Sequence, residues 1–229
     1  MSPREPLPAV LRLKSLLALL QLASPGLPIG GFAYSQGLES AIDSGVVHDE
    51  ASAARWIGDV LSLVIARYEA PMWVRVFDAA CEGMWQRFVT LDADLLASRE
   101  TAELRAESRQ MGQSMLRVFP ALDLVVPTFE SVSFTSAFAL ACALLGIERE
   151  QGLAAYLWAW FENQVLVAVK TLPLGQMAGQ RLLFAGHREV SNAVDRAQSL
   201  RDDALGSTSL GFAMMSVRHE SQYSRLFRS

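Results

Sequence analysis

Histidine and cysteine are the residue types best suited to metal binding, and this sequence holds three histidines and two cysteines. The cysteines lie far apart, and His48, His187 and His219 each stand without a second histidine one helical turn away. A tight metal site needs several such donors brought together. The sequence therefore predicts no preformed metal site, and it leaves the adjacent pair His219 and Glu220 as candidates for a transient one.

Gly26 and Gly31 have the spacing of the two glycines of a phosphate-binding loop. Such a loop continues with Lys and Ser or Thr, which contact the phosphates and the magnesium ion. Here the next two residues are Phe32 and Ala33. Without the lysine the segment has no charge that could hold a triphosphate, so nucleotide binding by this route is excluded.

Ser35 stands in the segment Ala33–Gly37, which has the pattern of a nucleophile elbow with Ala at its first position. Ser35, a downstream Asp and His219 would follow the chain order of an α/β-hydrolase. That elbow needs a strand-to-helix turn above a parallel sheet, and almost nothing in this sequence alternates with period two. The alternative is that Ser35 caps a helix running to Ser44, with Gly37 allowing close packing; the helical context favours it.

Six charges lie between Arg99 and Arg109, three from Arg and three from Glu. On one helix Arg99 and Glu103 would be a turn apart and could pair. We interpret this cluster as a solvated helix face. The alternative is a polar stripe that faces a partner or lines an internal water path.

The composition favours a soluble helical protein with a large core. Of 229 residues, 51% are hydrophobic and 19% are charged, and the net charge is −4, which argues against a general nucleic-acid binder. The charge-free runs are interrupted by Pro, Gly or hydroxyl residues, so we expect no membrane span. Two cysteines 61 residues apart build no disulfide framework, so we expect a reducing, cytoplasmic location. A membrane-associated helical bundle is the alternative, which a requirement for detergent would favour.

Helical periodicity dominates the chain, and it predicts a single all-α domain of roughly 8–10 helices spanning residues 1–229. Residues 1–10 are expected to form an N-terminal extension, and residues 201–229 a polar segment followed by a tail. The predicted helices are a leucine face ending near Ser24, Tyr34–Ser44, a helix capped by Asp49 that reaches Arg67, a segment kinked or broken by Pro71 that reaches Phe88, Asp92–Phe119, Thr128–Leu145, Glu148–Val169 and Gln176–Leu200.

The tail, Arg218–Ser229, is unusual because chain ends are normally small and polar. Tyr223, Leu226 and Phe227 have the spacing of one helical turn, so a single turn could present all three to a groove. Arg225 would project beside that face, against a carboxylate or against Phe32. We expect this tail to be mobile alone and ordered in a complex; the alternative is that it packs on its own core.

At four places the chain resembles the UreF family of urease accessory proteins. The resemblance covers essentially the whole chain, and its first and last motifs are specific. The matching segments are 20–24 with Leu27-Pro28-Ile29-Gly30-Gly31-Phe32-Ala33-Tyr34-Ser35-Gln36-Gly37-Leu38-Glu39, Ser98-Arg99-Glu100-Thr101 through Arg105, 169–176, and Arg218-His219-Glu220 with 223–229.

This resemblance implies an all-helical, non-catalytic metallochaperone scaffold that forms a homodimer. Such proteins bridge UreD (also called UreH) and the GTPase UreG, and the assembly docks on apo-urease. Nickel passes through in transit and GTP binds only to UreG, so no cofactor is expected to bind this chain tightly.

The resemblance also assigns residues to partner binding. The expected partner-binding residues are Phe32, Tyr34, Ser35, Gln36, Glu39, Lys170, Gln176, Arg218, His219, Glu220, Tyr223, Arg225, Leu226 and Phe227. Lys170 fits a family suggestion of GTPase activation, although activation usually relies on arginine, so Lys170 could equally gate UreG by binding it. Many relatives have Tyr where this chain has Phe32, so a hydroxyl hydrogen bond from that position to the tail cannot form here.

Overall fold

The structure, a computed structural model, describes the backbone of residues 9–229 and the side chains from Leu13 onward. Residues 1–8, which include most of the predicted N-terminal extension, lie outside the described residues. Within the described part the fold is all-α and contains no strand, as predicted. The helices are α1 (Ala9–Leu22), α2 (Leu38–Asp43), α3 (Glu50–Leu63), α4 (Glu69–Cys81), α5 (Trp85–Ala97), α6 (Ala102–Val118), α7 (Phe134–Leu144), α8 (Arg149–Thr171), α9 (Gln176–Ser199) and α10 (Leu210–Glu220).

Local sequence signals explain several boundaries. Asp49 caps α3 as predicted: its carboxylate accepts from the Ser52 amide at 2.7 Å, and the Ser52 hydroxyl oxygen accepts from the Asp49 amide at 3.0 Å. Pro71 lies in the first turn of α4, where a missing amide hydrogen is tolerated. The prediction that Pro71 kinks or breaks the segment after it is therefore wrong, and the chain turns before Pro71, at residues 64–68.

The predicted long helix over 92–119 is also wrong, because the chain breaks between α5 and α6. Thr101 adopts an extended conformation and its hydroxyl accepts from the Leu104 amide at 3.1 Å, which starts a new helix. The break frees Arg99 to reach Glu69 of α4, 2.5 Å away, so Arg99 does not pair with Glu103 as predicted. The break thus turns a predicted surface charge into a core ion pair.

The main core lies between α4 and α7, with α8 and α9 packed beside them. Small residues on α7, among them Ala137, Ala139 and Ala141, are fully buried and let its neighbours approach closely. The aromatic segment of α8 belongs mainly to this core: Tyr156 and Phe161 are buried, and Trp158 and Trp160 are partly buried. No helix in the described part of the chain is long and apolar enough to cross a bilayer.

The predicted leucine face of α1 is present and remains outside the core. Its four leucines are each about half exposed; they are Leu13, Leu16, Leu17 and Leu20.

A second, smaller apolar cluster lies where α2, α3 and the end of α8 meet, and it receives one residue from the C-terminus, Phe227. Its other buried members are all aliphatic; they are Leu38, Ala41, Val47, Ala53, Val167, Ala168 and Leu172. This second cluster brings together residues from both ends of the sequence.

Gly112 tests the close packing of α6 against the segment that leads into α7. A Cβ atom at Gly112 would collide with the Val132 carbonyl oxygen and lie 2.7 Å from the Ser133 carbonyl carbon. Backbone cannot swing aside as a side chain can, so we expect Gly112→Ala to lower the free energy of unfolding by about 1–3 kcal/mol. Urea titration followed by circular dichroism measures the change.

The matched control is Gly58→Ala inside α3, where nothing lies within 4 Å of the added methyl. We expect that variant to be as stable as the wild type or up to about 1 kcal/mol more stable, because alanine favours the helix. Equal stability of the Gly112→Ala variant and the wild type would contradict the packing described here.

Candidate functional site

Residues 33–39 pass directly beneath α10, and Gly37 makes this approach feasible. Its φ is +78°, a conformation that disfavours a side chain, and a Cβ there would lie 3.0 Å from the Ser216 hydroxyl oxygen. The prediction that Gly37 allows close packing is confirmed. The segment that carries Ser35, Gln36 and Glu39 is therefore held against α10.

Glu39, in the first turn of α2, is the junction between that segment and the C-terminus. Its side chain is almost fully buried, with 6% of the residue exposed. Its carboxylate accepts from the Leu226 amide at 2.6 Å and from the Phe227 amide at 3.1 Å. One carboxylate thus satisfies two consecutive backbone donors of the C-terminal chain.

His219, near the end of α10, is fully buried between two carboxylates. Its Nε2 lies 3.2 Å from Glu39 and its Nδ1 lies 2.8 Å from Glu103. Both contacts are hydrogen bonds only when both ring nitrogens carry a proton. This position ties α10 to α2 and α6 at once.

The candidate metal pair His219 and Glu220 does not converge on one point. A Glu220 carboxylate oxygen accepts from the Glu103 amide at 3.2 Å, at the first turn of α6, while the His219 ring is enclosed by Glu39 and Glu103. In the described part of the chain, no group of three or more His, Cys, Asp or Glu residues is arranged to hold a metal ion.

Ser35 is fully buried and neither caps α2 nor contacts His219 as a catalytic serine would. Its hydroxyl and its amide both donate to the Ser229 carbonyl oxygen, the amide at 2.7 Å. The N-cap of α2 is Gly37, which makes no side-chain cap bond, so the predicted capping role is wrong. Because carboxylates face both His219 nitrogens, no nitrogen is available to activate Ser35.

Residues 221–229, here called the terminal strap, run alongside residues 33–36. The Arg228 amide donates to the Ala33 carbonyl oxygen at 2.8 Å, and the Gln36 amide donates to the Ser229 carbonyl oxygen at 2.9 Å. The Ser229 hydroxyl donates to Glu107 of α6 at 2.5 Å. These contacts hold the strap at its C-terminal end, residues 228–229.

The predicted helical turn in the tail is wrong, because the strap is not helical. Glu39 takes the amides of Leu226 and Phe227, and Phe227 enters the second cluster. Tyr223 is fully exposed and Leu226 is 67% exposed, whereas Phe227 is 6% exposed. The three residues therefore do not share a face: the first two are accessible, and the third packs in the chain's own core, as the alternative interpretation held.

Arg225 pairs with Glu103, with 2.5 Å between nitrogen and oxygen. Of the two partners predicted for it, a carboxylate or Phe32, the structure has the carboxylate. Phe32 is partly buried beside the site. Tyr34 is buried, and its hydroxyl donates to Gln110 at 2.8 Å.

Lys170 and Gln176 are exposed on either side of the turn that joins α8 to α9. Leu172 in this turn belongs to the second cluster with Phe227. The family residues at the end of α8 therefore lie at the same end of the molecule as the strap. Arg218 is exposed on α10.

The outer face of α10 is apolar and accessible. Leu210, Met214 and Val217 are 75%, 57% and 54% exposed, at positions that share one side of the helix. Arg218 borders this stripe, and the exposed Tyr223 and Leu226 of the strap follow it in the sequence.

Sequence reasoning missed Glu103 and Glu107 of α6 as partners of the C-terminus, and it gave Ser229, the last residue of the matching motif, no role in the site. The interpretation of the 99–109 cluster as a solvated face holds for Arg105 and Arg109, which are exposed, and fails for Glu107, which is 5% exposed. The signal that could have identified Glu107 is its spacing of four residues from Glu103, which puts both on one face of α6.

Glu107 also lines a pocket of about 80 Å³, large enough for several water molecules. The pocket walls carry oxygen-bearing side chains from five elements or connections, among them Gln36, Glu69, Glu107, Ser108, Tyr156, Glu162 and Asn163. Among the described residues, the Ser108 hydroxyl and the Asn163 side-chain oxygen find no hydrogen-bond partner. The rest of the lining is mostly apolar, and of the six charges of the 99–109 cluster Arg99 and Glu107 reach it, so an internal water path stays a prediction.

Two carboxyls of this pocket differ in their electrostatics. Burial alone would raise the pKa of Glu69, but the Arg99 guanidinium holds that pKa below its usual value, aided by hydrogen bonds from Tyr156 and Thr135. Burial raises the pKa of Glu107 to about 7, because its hydrogen bonds from Ser229 and Gln36 only partly offset the loss of water. Glu69 is thus ionised at neutral pH, and Glu107 is poised to titrate there.

Comparison with known proteins agrees with the motifs. The family model of UreF matches residues 47–187. The chain belongs to the UreF family. Similar proteins named urease accessory protein UreF come from Azoarcus sp. (strain BH72), 48% identical over 93% of this chain and 95% of the relative, and from Ralstonia pickettii (strain 12J), 47% identical over 93% and 97%. A third, from Dechloromonas aromatica (strain RCB), is 46% identical over 93% and 97%.

Membership of the UreF family decides between the two functions that the sequence left open. UreF proteins are urease accessory proteins and not enzymes. The structure agrees, because the Ser35 hydroxyl donates to Ser229 and the His219 nitrogens face Glu103 and Glu39. The hydrolase alternative is therefore dropped.

The raised pKa of Glu107 predicts how the stability of this UreF-family protein depends on pH. Between pH 4.5 and about 7 the folded protein keeps a proton on Glu107 that the unfolded chain has lost, so the free energy of unfolding falls as pH rises. We expect Glu107→Gln, which stays neutral, to gain on the wild type by about 1.4 kcal/mol per pH unit, up to about 3 kcal/mol in total. Urea titrations at pH 5, 6, 7 and 8 measure this difference.

The control is Glu82→Gln, which alters an exposed carboxyl. Its stability should follow that of the wild type at every pH. Parallel pH profiles for Glu107→Gln and the wild type would contradict the assignment of Glu107 as a buried, neutral carboxyl.

Proposed function

We propose that this chain is a non-catalytic scaffold in the GTP-dependent insertion of nickel into apo-urease. It acts with UreD (UreH) and the GTPase UreG, binds no cofactor tightly itself, and works in the cytoplasm as a homodimer. GTP is bound and hydrolysed by UreG alone. This is the role that the family resemblance implies, and the accessible surfaces of the molecule support it.

The observation that carries the proposal is the exposure of apolar residues on α10 and on the strap that follows it in the sequence, which we take as one docking face. Leu210, Met214, Val217, Tyr223 and Leu226 are all more than half exposed. Clusters of exposed apolar side chains mark surfaces that a partner covers. Arg218 and Arg225 beside these residues supply the residue type most frequent at binding hot spots. We assign this face to UreD.

The exposed pair Lys170 and Gln176 is assigned to UreG. Both residues flank the α8–α9 turn, so they can contact a partner without disturbing the core. A lysine is a compact point charge on a flexible stem, which suits contact with an acidic surface better than a bidentate grip on a phosphoryl group. Lys170 is accordingly proposed to hold UreG rather than to complete its active site.

The pocket beside Glu107 is proposed to form part of the route along which nickel passes. Its walls are mostly apolar and carry carboxylate, amide and hydroxyl oxygens, and the Met111 sulfur and the Arg99 guanidinium, which pairs with Glu69, also belong to the lining. Oxygen ligands hold nickel less tightly than imidazole or thiolate ligands do. Such a lining suits passage of an ion and not its storage.

Homodimer formation is proposed for the same reason as partner docking. The four leucines of α1 form a second accessible apolar stripe; α1 packs on α8, and its Leu16 and Leu20 border a cavity that α8 and α9 also line. A two-fold contact is the commonest way for a protein to cover such a surface.

The experiment that tests the function is activation of apo-urease in a purified mixture. Apo-urease, UreD, UreG, GTP, nickel and bicarbonate are combined with or without this chain, and urease activity and bound nickel are measured. We expect both to rise several-fold only when the chain and GTP are both present. Full activation without the chain would contradict the proposal.

The docking face has its own test in Met214→Asp, which places a charge in the centre of the α10 stripe. We expect affinity for UreD to fall at least tenfold, because an isolated carboxylate would be desolvated in the interface, with the melting temperature unchanged because Met214 is 57% exposed. Isothermal titration calorimetry measures the affinity.

Val125→Asp serves as the control, since Val125 is 89% exposed in the connection between α6 and α7. It should bind UreD as the wild type does. Equal losses for both variants, or no loss for Met214→Asp, would exclude α10 as the docking face.

A further inference from the structure

The strap lies against the body of the protein as a short peptide lies in a binding site. We call its seat the tail slot, which consists of the polar groups that hold residues 226–229 and the apolar pocket that takes Phe227. The polar part is formed by Ala33, Ser35, Gln36, Glu39 and Glu107.

The tail slot recognises main-chain atoms in extended conformation. The carbonyl oxygen of Ala33 accepts from the Arg228 amide at 2.8 Å, and the Ser35 and Gln36 amides donate to Ser229 at 2.7 and 2.9 Å. The Glu39 carboxylate accepts two further amides of the strap. Main-chain bonds of this kind let a receptor hold an extended peptide irrespective of most side chains.

Side chains of the strap add selectivity at two positions. Phe227 fills the pocket of the second cluster and is 6% exposed, and the Ser229 hydroxyl reaches Glu107 at 2.5 Å. Leu226 between Arg225 and Phe227 is 67% exposed, so the slot does not select for the side chain at this position. The alternation of inserted and exposed residues is that of an extended ligand.

The connection from α10 to the inserted residues is short and accessible. Ser221, Tyr223 and Ser224 are exposed, and the side-chain bonds of Ser221 and Gln222 stay within the segment 218–224. The strap is therefore joined to the body by its slot contacts at one end and by an accessible turn at the other.

From these contacts we propose that the tail slot is a peptide-binding site, of which the strap is the built-in occupant. Its ligands are extended peptides with an aromatic residue two positions before a serine, as in Phe227-Arg228-Ser229. Departure of the strap withdraws Ser229 from Glu107 and Gln36, both of which line the pocket of about 80 Å³, so occupancy of the slot changes the hydrogen bonds of one wall of that pocket. The site goes beyond the proposed function, since it requires neither nickel nor any accessory partner.

The test uses the full chain carrying Phe227→Ala, which weakens the built-in occupant and leaves the slot intact. A fluorescein-labelled peptide of residues 222–229 is titrated with this variant, and fluorescence anisotropy is measured. We expect saturable binding, at least tenfold weaker for the same peptide with Phe227→Ala. We also expect the wild-type chain to bind the peptide at least tenfold more weakly than the variant does, because its tethered strap competes at an effective concentration of about millimolar.

A slot variant controls for non-specific adsorption. The Glu39→Gln substitution, added to the Phe227→Ala chain, replaces one of the two carboxylate oxygens that accept from the peptide by an amide nitrogen. The labelled peptide itself is unchanged. We expect at least tenfold weaker binding to this double variant, at equal helical content by circular dichroism. Binding that is equal for both peptides, or equal with and without Glu39→Gln, would overturn the proposal.

A second experiment needs no substitution and so does not depend on whether a variant folds. Folded wild-type protein is nicked by chymotrypsin after Tyr223, the fully exposed aromatic residue of the accessible turn, and the released fragment is removed by dialysis. The labelled peptide should then bind the nicked protein and not the intact one. Failure of the nicked protein to bind the peptide would equally overturn the proposal.

Discussion

The buried carboxylate of Glu39 is the contact on which the candidate site depends. It lies in the first turn of α2, where the unpaired amides of a helix favour negative charge. From there it accepts the amides of Leu226 and Phe227 and faces the ring of His219. A buried carboxylate is costly unless it is fully hydrogen-bonded, so the position of Glu39 fixes where α10 and the strap must lie.

The other features of the site follow from that constraint. Phe227 packs in the second cluster, the Ser229 hydroxyl donates to Glu107, and Arg225 pairs with Glu103. The same arrangement turns Tyr223 and Leu226 outward, next in sequence to the apolar stripe of α10. An internal electrostatic requirement thus creates the accessible surface that we assign to a partner.

Much of the fold could be predicted from the sequence, because helical periodicity, the Asp49 cap and the Gly and Pro punctuation are local signals. The break at Thr101 has a local signal, the Thr101 cap, which the sequence analysis missed. Its consequence is tertiary and has no local signal: Arg99 reaches Glu69 on another helix. The strap was misjudged for a similar reason. A spacing of three and four residues suggests a helical turn. The amides of Leu226 and Phe227 instead donate to Glu39, a residue nearly two hundred positions away in the sequence. The family motifs identified which residues matter, and only the contacts revealed that His219, Ser35 and Phe227 face inward.

The most direct test of the central claim is amide hydrogen exchange at Leu226 and Phe227, measured by NMR in the wild type and in Glu39→Gln. If Glu39 holds the strap, both amides are protected in the wild type and exchange at least tenfold faster in the variant, while amides in the middle of α8 keep their protection. Unprotected Leu226 and Phe227 amides in the wild type, or equal protection in the variant, would contradict the account.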